Sequence, residues 1–298
     1  MAEPQVTLLP ASEVDHHALL SAINSAYRDY FIPIQLTPDS FSELVRRESV
    51  LLEASQAAIS GGRVVGMGLL GVRGRRGWIG GMGVIPSFRR RGIARLIMQA
   101  LLSRACQLGL ETLQLEVITR NQAAFSLYKS VGFHTRRRLS VLSGRMADLK
   151  GAPDMAAHDV TISSEPPADL LDALLEIPAP EPPWQRESAA HRAMLPQLKG
   201  LAARQGWRGR IVGICLYRDN GYYKDVAELA AMTPKTGAGL AAHLLRKHPS
   251  ASFSYLNVPE EDPLLPILLG IGFQEVLAQF EMVLQLGVPP EVFQEHPW

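Results

Sequence analysis

The chain has 298 residues, 30 Lys and Arg against 29 Asp and Glu, and is 47% hydrophobic. That length suits two domains with ordinary globular cores, and no apolar run approaches the roughly 20 residues of a membrane span. The near-zero net charge hides an asymmetry: residues 1–150 hold 19 basic against 11 acidic groups (+8), and residues 151–298 hold 11 against 18 (−7). Such a split marks a half that meets an anion, or two halves that attract each other.

The opening M-A-E-P-Q-V-T lacks a basic stretch followed by an apolar one, so no secretory signal is expected and a cytoplasmic protein is. Val6–Leu9 reads as a short strand. Ser12 with Asp15 reads as a capping box before a helix carrying Leu20, Ile23, Tyr27 and Tyr30. Thr37-Pro38 opens a second helix. Gln56–Ser60, Val64–Val72 and Trp78–Ile85 form an antiparallel meander with turns at Gly61-Gly62 and Arg73–Gly77. A helix over 91–107, a strand Thr112–Ile118, a helix over 121–131 and a strand near 133–143 follow. Cys106 and Cys215 sit in apolar stretches and read as reduced core residues. His16 and His17 have no partners at metal spacing, so no metal is expected.

Polar, Pro/Gly-punctuated stretches over 144–153 and 163–168 separate the halves, giving domains at 1–150 and 155–298. The second half repeats the plan of the first. Arg210–Tyr217 and Tyr222–Met232 flank Asp219-Asn220-Gly221, a hairpin signal. A helix over 238–247, a strand Phe253–Val258, a short helix and a strand over 273–285 come next. G-F follows a helix at 132–133 and again at 272–273, which points to an internal duplication. The fold class is α/β (α+β): two similar domains, each a mixed, mostly antiparallel twisted sheet flanked by helices.

Residues 86–95, P-S-F-R-R-R-G-I-A-R, place three arginines at the start of a helix whose dipole is already positive there. A strand ending at Val84-Ile85, a tight loop and a helix opening at Gly92 form a cradle for an anion, with Arg89, Arg90, Arg91 and Arg95 around it and little bulk at Gly92 and Ala94. A solvated helix start is the plainer reading. Arg89-x-x-Gly92-x-Ala94 after Val84-x-Pro86, followed by L-E-V-I-T-R-N-Q-A-A-F-S-L-Y-K-S-V-G-F over 115–133, resembles the two hallmarks of the GNAT N-acyltransferases. The likeness covers residues 6–145 in element order. It implies acetyl-CoA as co-substrate, with the pantetheine arm on the main chain of Met82, Gly83 and Val84. It also implies the pyrophosphate on Arg89, Arg90, Arg91, Gly92, Ile93, Ala94 and Arg95, and Asn121 on the cofactor amide.

Acetyl transfer to an amine needs the amine neutral and the leaving thiolate protonated. The resemblance places the acid at Tyr128, seven residues after Asn121 and so on the same helix face; a core aromatic is the other reading. Glu116 lies mid-strand, where a buried carboxylate needs a partner or a purpose. Acetyltransferases of ribosomal-protein N-termini carry L-E-V, an asparagine and the tyrosine at similar spacing, with the glutamate as base. A salt bridge to an arginine is the alternative for Glu116. Tyr27, Tyr30 and Phe31 fall in the region that shapes the amine pocket in this family.

The second half lacks this equipment. Leu268 stands in the place of Tyr128, Glu261 in that of Asn121, and T-P-K-T-G-A-G (233–239) in that of the arginine cradle. It reads as a degenerate copy that completes the cleft, supports the first domain or mediates a homodimer. The leading expectation is an acetyl-CoA-dependent N-acetyltransferase acting on an amine-bearing acceptor in a ternary complex. The alternative is a catalytically silent acyl-CoA-binding or scaffold protein. Membrane and nucleic-acid partners are not expected, since no stacking aromatics interleave with Arg73–Arg76 or Arg136–Arg138.

Overall fold

The structure is a computed structural model describing residues 5–32, 34–151, 153, 155, 159–206 and 209–287. The chain forms two compact units. Unit 1 comprises Met1–Glu116, Gln122–Thr135 and Met282–Trp298, and unit 2 comprises Val117–Asn121 and Arg136–Glu281.

Unit 1 runs β1 (Thr7–Pro10), α1 (His16–Tyr27), α2 (Pro38–Arg47), β2 (Gln56–Ser60), β3 (Arg63–Arg73), β4 (Arg76–Val84), α3 (Ile93–Gln107), β5 (Thr112–Ile118) and α4 (Gln122–Ser130). Its strands lie in the order β1-β2-β3-β4-β5. The first three pairings are antiparallel and β4–β5 is parallel. Both faces of β5 are covered: Leu113, Leu115 and Val117 are buried on one face, and Gln114 and Ile118 on the other. Thr37 caps α2 by accepting from Ser40 N–H, with Pro38 in the first turn. The cap of α1 is Asp15, which accepts from Ala18 N–H at 2.9 Å; the expected Ser12 cap is corrected, because Ser12 lies in the 3-10 turn Ala11–Glu13. Cys106 is also corrected: it is exposed, whereas Cys215 is buried.

Unit 2 contains β6 (His134–Arg145), β7 (Val160–Glu165), α5 (Pro167–Leu174), α6 (Ser188–Met194), β8 (Leu198–Gln205), β9 (Ile211–Asn220), β10 (Tyr223–Ala231), α7 (Pro234–Lys247), β11 (Ser252–Pro259), α8 (Leu264–Gly270) and β12 (Gln274–Gln285). The order is β12-β6-β11-β10-β9-β8-β7. Residues 163–168, expected as linker, are the end of β7 and the start of α5. Helix α7 begins four residues before the expected start. Thr233 caps it and Pro234 opens it, the device that starts α2.

Within unit 2 the arginine run of β6 is neutralised. Arg136 pairs with Glu181, Arg137 with Glu281 and Glu261 at 2.6 Å each, and Arg138 with Glu275 at 2.6 Å. Burial of Arg137 and Glu281, 6% and 0% exposed, makes that pair a fixed element of the core rather than a surface contact. No helix among the described residues is long and apolar enough to cross a membrane, and no described group of His, Cys, Asp and Glu is arranged to hold a metal.

Candidate active site

In unit 1, β4 and β5 share register only at Arg76–Thr112, Gly77–Leu113 and Trp78–Gln114. The separation has a local cause. Gly80 faces Leu69 and Gly83 faces Met67, so β4 carries one residue more than β3 over that interval, and Gly81 takes up the bulge with φ +57°. A bulge bends its strand and interrupts pairing, so Gly80–Val84 presents main chain that β5 does not engage. Met82, Gly83 and Val84 are those residues.

After β4 comes the 3-10 turn Pro86–Phe88, then Arg90 at φ +64° and Gly92 at φ +77°. Gly92 is the N-cap of α3, no side chain caps the helix, and the first helical bond is Leu96 N–H to Gly92 C=O at 3.0 Å. The N–H groups of Ile93, Ala94 and Arg95 are left pointing out of the helix start. A Cβ on Gly92 would meet nothing within 4 Å. The opening therefore has free donors, a favourable dipole and space, and it fits a diphosphate.

The four arginines do different things. The Arg89 guanidinium is held by both Asp29 oxygens at 2.7 Å, and it donates to Ala26 C=O at 2.9 Å and Val84 C=O at 3.1 Å. The hydrogen bonds from Arg89 keep the Asp29 carboxyl below the usual carboxylate range. Arg89 thus ties the loop to α1 and to the end of β4. Arg91 donates to Ser87 C=O and lies 5.0 Å over the Phe88 ring. Arg95 donates to Ser130 Oγ on α4 at 2.9 Å. Arg90 is exposed.

Glu116 lies two residues beyond the last β4–β5 pair, and its Oε2 accepts from Trp78 Nε1 at 2.8 Å. Trp78 covers Gly80, where a Cβ would meet the indole at 1.9 Å, so a larger residue there would displace the group that holds the carboxylate. Tyr128 on α4 is 8% exposed and its ring lies 6.2 Å from that of Phe133. Burial, then the Tyr30 phenol, pushes its hydroxyl well above the usual tyrosine range. Tyr27 is pushed up in the same way, by burial and then by Tyr128 and Tyr30, and its hydroxyl donates to Met82 C=O at 3.0 Å. Tyr27 and Tyr30 meet edge-to-face at 5.0 Å, as do Tyr30 and Phe31 at 5.3 Å. Three phenols therefore gather around the end of α1. Asn121 precedes α4, with its N–H on Ile118 C=O at 2.8 Å.

Unit 2 has the same skeleton with its openings closed. β10 pairs in parallel with β11 from Tyr223–Ser252 to Val226–Tyr255 and no further, and it bulges between Val226 and Glu228. There Arg186 and Glu228 occupy part of the space. Arg186 ion-pairs with Glu228, donates to Asn257 C=O at 3.2 Å and lies 4.6 Å over the Tyr255 ring. The Leu229 N–H is taken by Glu228 Oε1 at 3.0 Å and Tyr255 Oη at 3.2 Å. At the start of α7, Thr233 Oγ1 accepts from Thr236 N–H, and Pro234 has no N–H to offer. Cβ atoms on Gly237 and Gly239 would meet Leu264 at 2.5 Å and Met155 at 2.2 Å, so neither glycine leaves open space.

Residues 20–133 match the family model described as the acetyltransferase (GNAT) family. A stretch of 51 residues is 43% identical to the [ribosomal protein bS18]-alanine N-acetyltransferase of Salmonella typhimurium, covering 17% of this chain and 34% of that protein. The chain spans about a third of the length of the curated relatives it matches. Over nearly its whole length the chain is similar to a tandem GNAT protein from the clavulanic acid biosynthesis pathway (TM-score 0.70, 15% identity, 96% of this chain and 100% of that one). It is likewise similar to a GCN5-related N-acetyltransferase from Sphaerobacter thermophilus (TM-score 0.67, 16% identity, 95% and 97%). At these identities the structural likenesses show the fold.

Proposed function

We propose, for a chain whose residues 20–133 belong to the GNAT acetyltransferase family and which has the fold of a tandem GNAT protein, that its first unit transfers an acetyl group from acetyl-CoA to a primary amine in a ternary complex. One observation carries this reading: β4 leaves β5 just beyond Trp78–Gln114, and the strand that departs leads into an uncapped helix start. The main chain of Met82–Val84, with which β5 does not pair, holds the pantetheine arm. The amides of Ile93, Ala94 and Arg95, with Arg90, Arg91 and Arg95, hold the diphosphate, while Arg89 holds the loop itself. Asn121 binds the cofactor amide.

Acetyl-CoA supplies the activated acyl group and a thiolate leaving group. Glu116 accepts the proton the amine gives up, its Oε2 fixed by the Trp78 indole. Tyr128 keeps its proton across the neutral range and donates it to the developing sulfur charge. The burial that raises the phenol also disfavours a thiolate beside it, so the proton moves between groups shifted in the same direction. The Arg186–Glu228 pair in its cleft and the capped α7 of unit 2 support a second half that binds no acyl-CoA.

An amine panel tests the proposal: thiol release from acetyl-CoA is followed with protein N-termini, lysine, polyamines and aminoglycosides. Amine-dependent release is expected. Tight acetyl-CoA binding with no release above hydrolysis for any amine would instead make the protein a silent acyl-CoA binder.

Trp78 is a positioning residue in this scheme. A hydrogen bond to a charged group is worth about 1.5–3 kcal/mol, so Trp78→Phe is expected to lower kcat by roughly 10- to 100-fold with KM for acetyl-CoA unchanged. In a Glu116→Gln background the same substitution should add little, because the two residues act as one unit. Full additivity in that cycle would separate Trp78 from Glu116.

A further inference from the structure

Unit 2 carries a charged group that the proposed reaction does not use. Unit 2 holds a pocket of about 180 Å³. Its walls are apolar, with Leu174, Ile177, Pro180, Pro182 and Pro259 among them, and Leu175 is 67% exposed at its edge. The rim segment Ile177–Trp184 reads I-P-A-P-E-P-P-W. Four prolines in eight residues fix backbone torsions before any ligand arrives, so little ordering entropy opposes binding. The volume falls below the roughly 300–1,000 Å³ of sites for drug-sized ligands, which excludes a nucleotide and admits a compact molecule.

Three charged side chains line the pocket: Arg186, Glu228 and Asp262. Arg186 and Glu228 pair with each other. Asp262 feels the Arg186 charge but makes no ion pair with it. It is 5% exposed, and the one hydrogen bond its side chain makes among the described residues is from Leu264 N–H to Oδ1 at 2.9 Å. No ion pair among the described residues reaches it. Burial pushes its carboxyl up, and Glu228 and Glu261 add to that, against the opposing pull of the Leu264 N–H and the Arg186 charge. A buried carboxylate facing a preformed apolar space is costly unless a cation answers it.

We propose that this pocket is a second ligand site, distinct from the candidate active site, and that it takes a small apolar monocation, an alkyl- or cycloalkylammonium, with its charge on Asp262. The Arg186–Glu228 pair forms the polar floor, and the proline rim and leucines enclose the hydrocarbon. The proposal does not rest on the acetyltransferase reading.

The probes are cyclohexylammonium chloride and neutral cyclohexanol, titrated separately into the full chain and followed by the methyl resonances of Leu174, Leu175 and Ile177. Saturable shifts are expected with the amine, and binding weaker by about tenfold or more with the alcohol, since a charge-assisted hydrogen bond outweighs a neutral one. Asp262→Asn should erase the preference. Leu175→Arg, on the exposed rim, should weaken the amine without changing the melting temperature. Neither variant should alter thiol release, and Tyr128→Phe should leave the shifts intact. Equal binding of both probes, no saturable shift, or a preference that survives Asp262→Asn in a folded variant would overturn the site. Absent thiol release beside intact shifts would sink the acetyltransferase reading alone.

Discussion

Tyr128→Phe is expected to lower kcat by about 10²–10⁴-fold, the range for a positioned general acid, with the dissociation constant for acetyl-CoA unchanged. The substitution removes one hydroxyl and keeps the ring, so the packing on Phe133 at 6.2 Å survives. Tyr128 is preferred over Tyr27 because Tyr27 already donates its proton to Met82 C=O. The pH dependence follows from the direction of the shift. Burial raises the Tyr128 hydroxyl above the ordinary phenol value, near 10, so the acid stays protonated and its ionisation does not lower kcat below about pH 10. The linked stability has the same sign. A phenol raised in the folded chain contributes fully below the unfolded value and loses that contribution as pH climbs past it. The parent should therefore weaken in alkali more than the Phe variant, measured by urea unfolding at pH 8 and pH 11. Full turnover in Tyr128→Phe would move the acid elsewhere.

The parts of this site that one segment specifies were legible in the sequence. The arginine run into Gly92, the strand Thr112–Ile118 and the cap at Thr37-Pro38 each announce themselves within a few residues, through charge, alternation or a capping pair. What escaped depends on register between segments. Trp78 and Glu116 are 38 residues apart, and they meet only because parallel pairing brings Gln114 opposite Trp78. The pairing of Arg89 with Asp29 escaped because nothing local says that Asp29 lies beside it. Cys106 sits among apolar neighbours in the sequence but on the solvent side of α3. β8 reads L-K-G-L-A-A-R-Q, with buried Leu201, Ala202 and Ala203 in succession, so it shows no alternation to find. The closing of unit 2 was half visible: Pro234 and Leu268 could be read directly, whereas the Arg186–Glu228 pair spans 42 residues.

That pair supports the second large prediction. Burial opposes the Arg186 charge, but Glu228 and Tyr255 outweigh it and hold the guanidinium protonated. Removing one partner of such a pair strands the other in a dry site, which costs about 3–5 kcal/mol, whereas replacing both with apolar groups is often close to neutral. Arg186→Met is thus expected to destabilise the chain by about 3–5 kcal/mol in denaturant unfolding, and Arg186→Met with Glu228→Met by far less. Leu229 N–H at 3.0 Å, Tyr255 Oη at 3.1 Å and His191 Nε2 at 3.9 Å are further polar neighbours of that carboxylate, and none of them replaces a guanidinium held at two oxygens. Were the single variant as stable as the parent, the pair would be solvated and the cleft of unit 2 open. The double variant then asks a sharper question of the second half. It takes away the plug, but Thr233 still caps α7, Pro234 still lacks its N–H, and Leu264 and Met155 still fill the space at the two glycines. Acetyl-CoA binding to unit 2 should therefore stay absent even with the plug gone, because the diphosphate end of the cleft was closed by a different set of residues.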